Sequence, residues 1–190
     1  MRVQRRAVER RSVIEAYVAY DCSKKGLLMT DLTTWDWSRA DTLDLHLANA
    51  NLKSGVLSGF RSWELVEVTV VDLRECAVLD RMFPGQPRAL GDIEDAGGLR
   101  GWKPDRLTSW YDDVLRGKTF DEYAPLILRP AVRCEADAKW YVEDGSGRAV
   151  AMLSNRGAFK PTQILAVGYL GREPDPDSSF MKNSFRELLA

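Results

Sequence analysis

Residues 139–148 read KWYVEDGSGR, and residues 149–153 continue the chain as AVAML. The first half of this stretch predicts a strand, because a tryptophan, a tyrosine and a valine in a row favour extended backbone. Residues 149–153 predict the start of a helix, because they are good helix formers and no breaker follows them before Gly157. The glycines between the two parts permit a positive φ, so we expect a tight turn from strand to helix.

The expected turn carries groups suited to an anion and to a metal ion. The N–H groups of a first helical turn favour a phosphate, and Arg148 adds a guanidinium fork that matches phosphate oxygens. Glu143 and Asp144 are candidate carboxylates for a metal ion or for proton transfer. The sequence Asp-Gly-Ser-Gly is also ordinary turn chemistry, so the local residues leave a phosphate site and a purely structural turn both open.

The segment from Tyr123 to Leu170 resembles the ParB/sulfiredoxin superfamily. In that family a proline-containing strand precedes a strand that ends in Asp-Gly, a Gly-x-x-Arg-x-x-Ala motif then opens a helix, and another strand follows. The matching positions here are Gly145, Arg148 and Ala151, with strands expected at residues 125–133, 141–144 and 163–167. The resemblance implies an α+β protein with a ParB/sulfiredoxin-like fold and an elaborated N-terminal part.

The resemblance also implies an activity, namely hydrolysis of ATP and cleavage of DNA with Mg²⁺ as cofactor, in a plasmid fertility inhibition factor that blocks conjugative transfer through type IV secretion machinery. Its implied partners are nucleotide, DNA and type IV secretion or relaxase–DNA complexes. The implied catalytic residues are Glu143, Asp144 and Arg148, with Glu143 and Asp144 as metal ligands and Glu143 as the more catalytic acid. The implied nucleotide-binding residues are Gly145, Ser146, Gly147 and Arg148, and the nucleic-acid contacts are Arg129 and Arg133, for which solvated strand arginines are the alternative.

Two positions depart from the family pattern. Ser146 stands where sulfiredoxins carry a reactive cysteine, so thiol chemistry of that kind is not expected. Gly147 stands where many members have a basic or histidine side chain before the motif arginine. This difference motivates an alternative function, in which the turn is kept, catalysis is lost, and the protein inhibits a type IV secretion component by binding it. The residues after Gly157 are too few for the DNA-reading helical domain of partition proteins, so a sequence-specific centromere binder is not expected.

Composition limits the class of protein. A chain of 190 residues with 45% hydrophobic and 29% charged residues is expected to form a single globular domain, 1–190, with the motif core at 123–170. The net charge of −1 means that any DNA binding needs a local basic patch. The single histidine is too few for a His-rich zinc site, and a P-loop motif is absent. Scattered cysteines predict a reducing, cytoplasmic location, and the lack of a long apolar run predicts no membrane insertion.

The rest of the chain is predicted from periodicity and turn signals. The arginines of residues 1–12 predict a basic, flexible head, either a phosphate contact or a solvated terminus. The other predicted elements are strands at 13–20, 27–32 and 63–73, a turn at 21–25, helices at 38–55, 75–82 and 104–115, a surface loop at 86–101, a connector at 171–177 and a terminal helix from Ser178 or Ser179.

Overall fold

A computed structural model of the chain describes residues 1–24, 57, 59–78, 82–85, 89–101, 125–135, 137–154, 156–178, 181–182 and 186–189. The strands are β1 (Arg2–Glu9), β2 (Phe60–Thr69), β3 (Cys76–Ala77), β4 (Leu126–Pro130), β5 (Trp140–Asp144) and β6 (Ile164–Pro174). The α-helices are α1 (Arg10–Lys24), α2 (Val70–Arg74), α3 (Leu90–Asp95) and α4 (Ser146–Ser154). Short 3-10 helices lie at Gly98–Gly101, Arg133–Glu135, Arg156–Ala158 and Arg186–Leu189.

The described strands form one mixed sheet in the order β1-β2-β6-β4-β5-β3. The pairs β1–β2, β2–β6 and β4–β5 are antiparallel, whereas β4–β6 and β3–β5 are parallel. The sheet and its helices make an α+β structure, as the sequence predicted. Strand β5, which carries the expected turn, lies between β4 and the very short β3.

Apolar side chains cover both faces of the sheet. One face packs against α2, α3 and α4, and its buried strand residues include Leu126, Leu128 and Val142. The opposite face packs against α1, with Ile127 of β4 in that second cluster. Because side chains of a strand alternate between faces, β4 is buried on both sides, which its apolar first three residues, Leu126 to Leu128, reflect. Among the described residues, no helix combines the length and apolar character needed to cross a membrane.

The elements around the motif are confirmed. The proline-containing strand is β4, the strand ending at Asp144 is β5, the motif opens α4, and the following strand is β6. Strand β6 is longer than predicted and continues to Pro174, into the expected connector. Met181 and Lys182 are helical, and the Ser178 Oγ accepts a hydrogen bond from the Met181 N–H at 3.3 Å.

Several predictions outside the motif are wrong. The predicted strand at 13–20 and the predicted turn at 21–25 both fall in α1, which ends at Lys24. Val13 and Tyr17, at helical spacing, are buried against the sheet, so tertiary packing overrides the strand preference of Val, Ile and Tyr. The loop at 86–101 contains α3, whose Leu90 and Ile93 are buried, and the helix at 75–82 is replaced at its start by β3. Residues 1–12, which were predicted to be a flexible head, instead form strand β1 and the start of α1. The predictions at 27–32, 38–55 and 104–115 lie outside the described residues.

Strand β2 ends earlier than predicted because Thr69 and Asp72 form a capping box at the start of α2. The Asp72 carboxylate accepts hydrogen bonds from the Thr69 N–H at 2.9 Å and the Thr69 hydroxyl at 2.7 Å, and it also contacts the N-terminal ammonium. Burial alone would raise the pKa of Asp72, but the hydrogen bonds from the ammonium and from Thr69 lower it below the ordinary value of 3.8.

We expect Asp72→Asn to lower the free energy of unfolding by about 1 kcal/mol at pH 7, the usual size of a lost cap. A carboxyl whose pKa is depressed in the folded state stabilises above its unfolded pKa, and that contribution disappears as pH falls through its folded pKa. The deficit of the variant should therefore shrink below about pH 4. Urea unfolding at pH 7 and pH 3 measures it, with Asp92→Asn, at the equivalent exposed position of α3, as the control. Equal deficits at the two pH values would contradict the capping role.

Candidate functional site

The turn between β5 and α4 has the geometry that the sequence predicted. Gly145 has a φ of 93°, in the left-handed region that favours glycine. A Cβ at this position would lie 2.4 Å from Leu126 Cδ2 and 2.8 Å from a guanidinium nitrogen of Arg148, so no other residue fits without movement. The Ser146 hydroxyl donates to the Val142 carbonyl at 3.0 Å, and the Ala149 N–H donates to the Gly145 carbonyl at 2.9 Å. Together these contacts fix the backbone of the turn.

Arg148 places a positive charge at this turn. Its side chain is 10% exposed, and its guanidinium donates to the Asp144 carboxylate at 3.1 Å. The contact with the Gly145 position shows that the guanidinium lies across the turn. The N–H groups of the first turn of α4 add partial positive charge at the same end of the helix. Arg148 and α4 thus make the N-terminal end of this helix suited to an anion.

Glu143 belongs to a separate buried ion cluster. Arg129 is 2% exposed; its Nε donates to Glu143 at 2.6 Å, and its two terminal nitrogens donate to Glu135 at 2.8 Å each. The guanidinium also lies 4.0 Å from the centre of the Tyr141 ring. Burial alone would lower the pKa of Arg129, but the two glutamates raise it above its ordinary value, so this arginine stays charged. Glu135 is tied further by the Val132 N–H at 2.9 Å.

A β-bulge underlies the position of Glu143. Ile127 pairs with Asp144 and Leu128 pairs with Val142, so Glu143 is an extra residue in β5 opposite β4. Each of the two neighbouring acids is consequently held by a different arginine. Their side chains also differ in exposure, at 7% for Glu143 and 25% for Asp144.

The two acids expected to bind a metal ion are each paired with an arginine. The sequence predicted that Glu143 and Asp144 together hold Mg²⁺, but each carboxylate is already paired with a guanidinium. Within the described part of the chain, no three His, Cys, Asp or Glu side chains are grouped as metal ligands. Mg²⁺ fits here only if a guanidinium gives up its carboxylate, and the phosphates of ATP fit beside Arg148 only if they displace the Asp144 carboxylate.

The two arginines predicted to contact nucleic acid have different positions. Arg133 is exposed in the 3-10 helix after β4, and its N–H donates to Glu187 at 2.8 Å. The prediction for Arg129 is not met, because a buried guanidinium enclosed by two carboxylates does not reach a DNA phosphate. Sequence reasoning missed Glu135 altogether. The available signal was an arginine inside the apolar strand LILRP, because a buried charge requires a carboxylate nearby.

Among the described residues, no reactive thiol lies at this turn. Cys76 is buried, and burial raises the pKa of its thiol far above the ordinary value. Cys134 is exposed on the 3-10 helix after β4, and the motif position itself holds Ser146. A catalytic cysteine is therefore not part of the turn.

Comparison with known proteins identifies no relative. No family model, no curated protein and no solved structure matches this chain. The fold and the site therefore define the protein by their own geometry, as an α+β chain with a strand–glycine–helix turn that carries a nearly buried arginine.

Proposed function

We propose that the turn at Gly145 binds the phosphates of a nucleotide, and that this protein is a ParB/sulfiredoxin-like hydrolase of ATP and DNA. The observation that carries the proposal is the position of Arg148 across a left-handed glycine at the start of α4. Phosphoryl transfer depends mainly on positioning and charge stabilisation, and a guanidinium beside helical N–H groups supplies both.

In this proposal, phosphate binding rearranges the pair formed by Arg148 and Asp144. An incoming phosphate takes the guanidinium of Arg148, which leaves the Asp144 carboxylate able to orient a water or to hold Mg²⁺. Mg²⁺, when bound, neutralises charge that develops on the phosphate oxygens. The backbone N–H groups of residues 146–148 bind the phosphate, and Glu143 remains with Arg129 as support for the strand end.

The exposure of the acids supports Asp144, rather than Glu143, as the reacting carboxylate. Purified protein incubated with labelled ATP, plasmid DNA and Mg²⁺ provides the test. We expect Asp144→Asn to lower turnover about 100-fold, the size of a lost acid–base or positioning group, and the isosteric Glu143→Gln to lower it less. If activity is lost only in a folded Glu143→Gln variant, Glu143 is the more catalytic acid, as the sequence predicted. Absence of turnover in the wild-type protein would overturn the hydrolase.

The cellular role that we propose is inhibition of conjugative DNA transfer. The length, the arginine-rich start and the turn resemble the plasmid fertility inhibition factor Osa. In this role the protein works in the cytoplasm on DNA, or on relaxase–DNA complexes, before they pass through the type IV secretion machinery.

A second candidate function is that of a non-catalytic inhibitor that binds a type IV secretion component. The observation that favours it is that both acids beside the turn already have arginine partners. If phosphate does not displace Asp144 from Arg148, the turn remains a structural element, and inhibition requires only a protein contact.

A further inference from the structure

Among the described strands, β1 is an edge of the sheet, and it is rich in exposed arginine. It pairs with β2 on one side and is the first strand in the sheet order. Arg2, Arg5 and Arg6 are all exposed, and Glu9 is the only acid in the strand. In a chain with a net charge of −1, this strand is a local concentration of positive charge.

The arginines that follow β1 differ from those within it. Arg10 donates to the Phe60 carbonyl at 2.9 Å and to Asp175 at 3.3 Å, and Arg11 donates to Glu15 at 2.7 Å. Arg2, by contrast, has an 84% exposed side chain whose Nε lies 3.9 Å from Glu67. Arg2 is therefore held less closely by a carboxylate than Arg10 and Arg11 are, although the Arg11 side chain is also exposed.

The backbone of β1 is irregular in the part that carries Arg5 and Arg6. The register with β2 shifts between Val3 and Arg5 and again between Arg5 and Val8, and Ala7 has a φ of 53°. Bulges and charges at an edge strand also prevent sheets from pairing edge to edge. Protection of the edge is therefore the competing explanation, and an experiment has to separate it from binding.

The sheet register connects this edge to the candidate site. Cross-strand partners run from Arg5 to Leu65, then to Tyr169, Ile127 and finally Asp144. Four strand spacings of about 4.8 Å give about 19 Å, the length of roughly six base pairs of B-DNA. Burial raises the pKa of Tyr169 above its ordinary value, and the nearby charge of Arg5 opposes part of that rise.

We propose that edge strand β1 is the surface that binds the DNA backbone, with Arg5 and Arg6 as phosphate contacts. This inference depends on the proposed function in one respect, because it takes DNA as the ligand. Contacts with phosphate provide affinity without sequence specificity, so this edge binds DNA of any sequence.

Binding of a labelled DNA duplex, measured against salt concentration in EDTA, tests the proposal without turnover. Removing two phosphate contacts should lower the slope of log K against log salt by about 1.8 in Arg5→Gln/Arg6→Gln, since each contact contributes about 0.9. Arg5→Lys/Arg6→Lys should keep the slope. The control Arg156→Gln/Lys160→Gln removes two exposed charges after α4 and should also keep it.

Arg5→Glu/Arg6→Glu separates binding from edge protection, because it keeps the edge charged. We expect this variant to remain monomeric by light scattering and to lose DNA binding. A wild-type slope in the glutamine or glutamate variant would overturn the proposal. So would a variant that binds DNA normally but no longer binds phosphatidylserine vesicles, because the arginines would then contact a lipid surface instead of DNA. If the wild-type protein binds DNA but hydrolyses neither ATP nor DNA, the hydrolase proposal is refuted and the proposal for β1 is supported. If the protein has turnover but the variants keep the wild-type salt slope, the proposal for β1 is refuted and the hydrolase proposal is supported.

Discussion

Replacing Arg148 with alanine is expected to lower ATP turnover by about 10²–10³-fold, the usual loss when one preorganised group that stabilises transition-state charge is removed. The change deletes the guanidinium that lies across Gly145, and it leaves the Asp144 carboxylate at the turn without this partner. Both effects disfavour a phosphate at the start of α4, so turnover and nucleotide affinity should fall together. Steady-state hydrolysis of labelled ATP and calorimetric binding of a non-hydrolysable analogue measure the two quantities.

The matched control is Arg156→Ala. Arg156 is a half-exposed arginine that pairs with Glu94 at 2.7 Å, away from the turn, and its loss should leave turnover unchanged. A mating assay with each variant then distinguishes the two candidate functions. Inhibition of conjugation that survives Arg148→Ala, in a protein that no longer hydrolyses ATP or DNA, would support the binding inhibitor. Full ATP turnover in a folded Arg148→Ala protein would show that the turn is not the site.

The motif region was predictable because its structure is encoded locally. Gly145 specifies a left-handed residue, the residues before it prefer extended backbone, and those after it prefer helix. The bulge at Glu143 was not predictable in this way, because a bulge depends on how β5 pairs with β4.

The N-terminal part was predicted less well because its structure depends on distant contacts. Residues 13–20 have strand-forming side chains, yet they form a helix whose apolar face packs on Phe60 and Trp63, about fifty residues along the chain. The cluster of Arg129 with Glu135 and Glu143 is similar, since no periodicity reports which carboxylates meet a buried guanidinium. Interpretation of Arg129 as a DNA contact failed because burial was not visible in the sequence.

The buried cluster leads to the largest expected effect on stability. We expect Arg129→Met to lower the free energy of unfolding by about 3–5 kcal/mol, because it leaves Glu135 and Glu143 buried without their arginine. Arg61→Met is the matched control. Arg61 also bridges two carboxylates, of Asp175 and Asp177, but its side chain is half exposed, so its loss should cost no more than about 1 kcal/mol. Urea unfolding with a constant m-value measures both variants.

A triple variant tests whether unpaired charge is the cause. Arg129→Met combined with Glu135→Gln and Glu143→Gln removes every charge of the cluster, so it should be more stable than Arg129→Met alone, although it carries two further substitutions. This reversal is specific to buried ions, because substitutions that act only through lost packing would add to one another. A triple variant less stable than Arg129→Met, or a single variant no more destabilised than Arg61→Met, would show that the cluster does not stabilise the fold through its charges.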